Sequence, residues 1–107
     1  MRAALLAVAL LCGPAHADFK DGNKLLAELN DPGAVFSSVG IGYITGVADA
    51  YGGVTHCAPQ GVTAGQIRDM VKNYLENTPA IRHLPASMIV SHVLKSTWPC
   101  AKKGTGT

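Results

Sequence analysis

The sequence predicts an all-α fold, a small single-domain bundle of about four helices stapled by one disulfide. Three observations carry that expectation. Apolar residues recur at steps of three and four along four segments of the chain. Nowhere does the apolar/polar alternation of a strand persist. Once a leader is set aside, two cysteines remain with none left over, which in an exported chain reads as one disulfide.

The leader is the first element. Met1 and Arg2 form a short positive start, Ala3 to Leu11 an unbroken apolar run, and Gly13-Pro14 a helix break before Ala15-His16-Ala17. This is the layout of a secretory signal peptide cut after Ala17, so 1–17 is predicted to be removed and 18–107 to form one domain. The apolar run is shorter than the roughly 20 residues a bilayer span needs. Cys12 follows Leu11 rather than the small residue a lipidation site prefers, so it is expected to leave with the leader. The expected location is the periplasm.

The first mature helix shows Leu25, Leu26 and Leu29 on one stripe, with Asp21 ahead of it and Asn30-Asp31-Pro32-Gly33 as a stop. A second helix is predicted from about Phe36 to Tyr51, carried by Phe36, Val39, Tyr43, Val47 and Tyr51 and ended by Gly52-Gly53. The third has the clearest pattern. Thr63 and Gln66 make a capping box, Ile67, Met70, Val71, Tyr74 and Leu75 follow on one face, and Asn77-Thr78-Pro79 closes it. The fourth carries Ala86, Ile89, Val90, Val93 and Leu94, with Pro85 suited to its first turn and Trp98-Pro99-Cys100 at its end. Residues 100–107 are expected to be a frayed tail.

Composition narrows the function. Without Arg2 the chain has eight Lys and Arg against seven Asp and Glu. That balance gives neither a basic stripe for nucleic acid nor a polybasic membrane anchor. A domain this small gains from a covalent staple. Closing the loop from Cys57 to Cys100 removes unfolded-state entropy worth about 4 kcal/mol in the chain-entropy model.

Gly40, Gly42 and Gly46 come within one residue of a dinucleotide-binding fingerprint. That motif needs a strand before it and a βαβ unit around it, and neither is present. Glycine in a helix costs roughly 1 kcal/mol against alanine, so Gly42 and Gly46, four apart on one face, are expected to form a packing seam for a neighbouring helix.

No residue set adds up to an active site. His56 precedes Cys57, but chain neighbours rarely aim at each other and a disulfide removes the thiol. The spacings of His56, His83 and His92 match no zinc pattern, so they are read as surface or core-edge residues. Asp49 can cap or pair across to another helix but lacks a second acid or base. Tyr43, Tyr51, Tyr74 and Trp98 are read as core aromatics, and Arg68 and Asp69 as a solvated face. The chain is predicted to be no enzyme and to use no cofactor or metal.

Taken in order, "DGNKLL" (21–26), "GYITGVADA" (42–50), "CAPQGVTAGQ" (57–66), "VKNYLENTP" (71–79), "RH" (82–83) and "WPC" (98–100) resemble one family. It is the Tai-type (Rap/Tai) family of periplasmic immunity proteins, which protect bacteria against peptidoglycan amidases delivered by type VI secretion. The likeness runs from about Phe19 to Cys100. It implies an exported, all-α, often dimeric inhibitor that plugs the amidase's active-site cleft. It implies that Cys57 and Cys100 are the family's disulfide pair. Gly42, Tyr43, Ile44, Gly46, Val47 and Asp49, with Pro59, Gly61, Val62 and Thr63, match family motifs and are read as structural. Where many members resemble one another in a further cysteine pair, this chain has Leu29 and Gly40, a departure that places it in a divergent branch.

A cleft-plugging inhibitor needs a rigid, protruding loop. Two qualify: Gly52 to His56, held beside Cys57, and Asn77 to His83, stiffened by Pro79. The second is preferred, because Thr78, Arg82 and His83 offer hydrogen-bond donors beside Pro79 and apolar Ile81, although both loops also read as plain connectors. The expected function is inhibition of an amidase effector. The alternative is an orphan periplasmic helical scaffold or a small stress-related chaperone.

Overall fold

The computed structural model describes residues 19–101 of the chain; the predicted leader with Cys12, Asp18 and the tail from Lys102 to Thr107 lie outside that range. Four α-helices are present among the described residues: α1 Gly22–Asn30, α2 Ala34–Tyr51, α3 Ala64–Asn77 and α4 Ala86–Thr97. A 3-10 turn, Pro79–Ile81, which the periodicity did not announce, lies between the last two. Every pair of α-helices is in contact, as in a closed bundle.

Local chemistry fixes the helix ends. Asp21 caps α1, its carboxylate accepting the Lys24 N–H at 2.8 Å. Asp31 ends that helix and turns the chain by accepting the Gly33 N–H at 2.7 Å. The capping box of α3 forms as the sequence predicts: the Gln66 N–H donates to Thr63 Oγ1 at 3.1 Å, and the Thr63 N–H to Gln66 Oε1 at 2.7 Å. Pro85 stands one place outside the expected first turn, as the N-cap residue of α4. Its carbonyl accepts from both Met88 and Ile89.

The core consists of Leu25 and Leu29 from α1, Ile44 from α2, Ile67, Val71 and Leu75 from α3, and Ala86, Ile89, Val90, Val93 and Leu94 from α4. The predicted stripe of α4 is therefore buried in full. The stripe of α2 is corrected. Its inward face is Gly40 and Ile44, whereas Phe36 is 58% exposed, Val39 46% and Tyr51 43%. Helix α2 carries one charged residue, Asp49, in its whole length, so several faces are equally apolar and periodicity alone could not choose among them. Tyr51 is accordingly no core aromatic, while Tyr43, Tyr74 and Trp98 pack half-buried against the core.

The glycine seam is corrected for the same reason. Gly42 and Gly46 point outward, and nothing lies within 4 Å of where a Cβ would stand on either. The close approaches of another helix occur at Gly40 and at Gly22. A Cβ on Gly22 would meet Ile89 Cδ1 at 2.6 Å and the Arg82 carbonyl oxygen at 2.8 Å. That space lets residues 20–23 run alongside residues 82–86. The Gly22 N–H donates to the Leu84 carbonyl, the Asn23 N–H to that of Arg82, and the Ala86 N–H to that of Lys20. Lys20 also pairs with the buried carboxylate of Glu28 and lies over the Tyr43 ring, 4.7 Å from its centre.

Candidate functional site

Cys57 and Cys100 are joined, as both the cysteine count and the family likeness lead one to expect, with their Cα atoms 4.8 Å apart across 43 residues of chain. The bond is one of several ties on the 52–62 loop. The Cys57 N–H donates to the Trp98 carbonyl at 2.8 Å, and the Gly53 N–H to that of His56 at 2.8 Å. Gly53 and Gly61 adopt φ of 81° and 93°, a conformation that disfavours other residues. Gly61 thereby turns the chain so that Val62 packs on the core and Thr63 reaches its capping position. Pro59 lines a hollow beside Cys57 that also takes in Asp49.

His56 is only 4% exposed and its Nδ1 has no hydrogen-bond partner. It is a buried structural residue of the loop rather than a nucleophile's base, and the Cys57 sulfur is committed to the disulfide. His83 lies after the 3-10 turn and His92 on α4, both exposed. Among the described residues no three His, Cys, Asp or Glu side chains gather as a metal site would need. Asp49 is exposed and belongs to neither ion pair of the described residues, Lys20–Glu28 and Arg68–Asp69.

The 77–85 segment is braced from both sides. Arg82, expected to offer its donors to a partner, spends two of its five inside the molecule: its Nε donates to the Leu75 carbonyl at 2.6 Å and its Nη2 to that of Glu76 at 3.0 Å. Those are orphan carbonyls of the last turn of α3, so the guanidinium caps that helix. Ile81 packs on the core, and Thr78 is half-buried. The outward-facing residues are Asn77, whose side chain bonds back to Asn73, and Pro79, Ala80 and His83.

The two loops, weighed as alternatives from sequence, border one surface. The outer stripe of α4, Met88, His92 and Lys95, faces solvent, with Met88 59% exposed. On one side lies a groove of about 390 Å³ whose wall includes Tyr51 from the end of α2 and Thr55 from the first loop. On the other lies a smaller hollow of about 230 Å³ between Ile81 and Leu84 of the second loop, Tyr74, Ile89 and the same Met88 and His92. A third hollow continues along α3 and α4 from His92 past Asn73, Asn77 and Thr78. The Tyr74 and His92 rings stand 5.6 Å apart, tilted by 47°. Sequence reasoning missed this face, because Met88 and His92 sit singly on a helix whose apolar signal belongs to the opposite side.

The apolar hollows and braced loops around Met88 and His92 form a surface suited to contact with a macromolecule. Exposed apolar area ringed by polar groups on braced segments is how such a surface is built. No curated protein matches the chain. The family model of the Rap1a immunity proteins matches residues 9–100.

Proposed function

We propose a function for a chain that belongs to the family of Rap1a immunity proteins: it neutralises a peptidoglycan amidase in the periplasm by blocking the enzyme's active-site cleft. Membership makes it an immunity protein for a secreted effector. The amidase target, delivery by type VI secretion, export by the N-terminal leader and inhibition in the cleft are our reading. The observation that supports the reading is the α4 face on which both braced loops converge around Met88 and His92. A surface already held in place loses little entropy on binding. Pro79, Ala80 and His83 are the residues that enter the cleft, with Arg82 holding them in position.

The same reading includes a homodimer through α2. Its outward face carries Val35, 72% exposed, and Val39, 46% exposed, with Gly42 and Gly46 open between the turns. Small residues four apart allow helix backbones to approach closely, and the apolar flank needs a cover that the monomer lacks.

A protection assay tests the function. Each open reading frame beside this gene is exported to the periplasm of a test bacterium, with and without the chain, and lysis is followed by optical density. One neighbour is expected to lyse cells and to be rescued. Toxicity without rescue, or no toxic neighbour, refutes the reading.

A further inference from the structure

We propose that the hollow between α3 and α4 is a socket for an anchor side chain of the effector, and that the docking segment is apolar with a carboxylate beside it. This rests on the immunity reading and adds the chemistry of the partner's side of the contact. The effector is engaged in both directions: the 77–83 segment enters its cleft while one of its own side chains enters the socket.

The socket's floor is aliphatic, made of Ile81, Leu84 and Ile89, and its walls are Tyr74, Met88 and His92. Apolar hollows at an interface are where a partner's large aromatic or aliphatic residue contributes most to affinity. Met88 supplies an adaptable thioether wall, able to follow the shape of what enters. A charge could not be buried on that floor without a large desolvation cost, so any charge on the occupant must sit at the rim.

The rim decides its sign. Lys95 shares the adjoining groove with Met88 and His92, and it is the one formally charged side chain lining any of the three hollows that meet at His92. No Asp or Glu lines them. The carboxylates of the described chain are elsewhere: Asp21 caps α1, Glu28 and Asp69 are paired, Asp31 turns the chain before α2, Asp49 lies on α2 and Glu76 at the end of α3. An acidic segment meets Lys95 and the His92 ring, whereas a basic one meets the like charge of Lys95 and no carboxylate to offset it.

Two measurements test the proposal. The mature protein has two methionines, Met70 and Met88, so ¹³C-methyl labelling gives an assignable reporter in the socket wall. Titration with 3-phenylpropionate is expected to move the Met88 signal saturably in the millimolar range. The amine 2-phenylethylamine, with the same ring and opposite charge, should bind about tenfold more weakly. No saturable shift at Met88, or equal binding of acid and amine, overturns the proposal. So does a Met88 signal that moves on dilution without probe, since the occupant is then a second copy.

The second measurement is the protection assay with Met88→Glu and Met88→Lys, each checked by thermal unfolding to match the parent fold at this exposed position. Met88→Glu is expected to abolish rescue and Met88→Lys to weaken it less. If the parent chain and Met88→Glu rescue equally, the socket fails while the immunity function stands. If the parent chain rescues against no neighbour, the amidase reading fails, and the methyl titration still decides what the hollow binds.

Discussion

Leu29 lies against the bare backbone of Gly40: a Cβ on Gly40 would stand 3.0 Å from Leu29 Cδ2 and 3.2 Å from Glu28 Cβ. The family likeness leads one to expect a further cysteine pair around these two places. A large residue on α1 fits the space left by the smallest on α2, so packing joins the two helices where a covalent bond would otherwise be expected.

The glycines of α2 therefore differ in sign when substituted. Gly40→Ala gains about 1 kcal/mol of helix propensity but must displace the Leu29 and Glu28 contacts, an overpacking cost of about 1–3 kcal/mol. It is expected to lower stability in urea unfolding. Gly42→Ala and Gly46→Ala meet nothing within the monomer and should each raise the stability of the dilute protein by up to about 1 kcal/mol.

At high concentration the same outward face reads differently. Val39→Lys is expected to shift the protein to monomer in sedimentation equilibrium while leaving the unfolding of the dilute chain unchanged. A parent chain that is monomeric throughout the accessible concentration range removes the α2 dimer.

Breaking the buried Lys20–Glu28 pair should be costly, since both side chains are about 10% exposed or less. Glu28→Ala strands the Lys20 ammonium over Tyr43, and a loss of about 3 kcal/mol is expected. The double variant Lys20→Met, Glu28→Leu should recover much of it, which equilibrium denaturation of the set would show.

The disulfide closes 43 residues, so Cys57→Ala with Cys100→Ala is expected to lose about 4 kcal/mol. Reducing agent should lower the thermal midpoint of the parent and leave that of the double variant in place.

Arg82 and His83 are adjacent but should separate cleanly. Arg82→Ala removes the cap on the last turn of α3 and is expected to lower stability by about 1–2 kcal/mol. His83→Ala touches no internal bond and should leave stability unchanged while weakening protection. Equal effects of the two on protection at matched stability would count against His83 as a contact.

The sequence by itself determined the all-α class, the four helices and most of their ends, because caps, prolines and glycines act within a few residues of where they stand. It pointed to the disulfide, since setting aside the expected leader with Cys12 leaves Cys57 and Cys100 as one pair, and it marked the buried face of α4, where polar residues line the other side. Tertiary structure alone decided which face of α2 turns inward, as an almost uncharged helix carries no local instruction about direction. Only the fold could show that Arg82 caps the last turn of α3. Likewise, the meeting of the 52–62 and 77–85 loops across α4 depends on distances between segments separated by the length of α3, which no local pattern encodes.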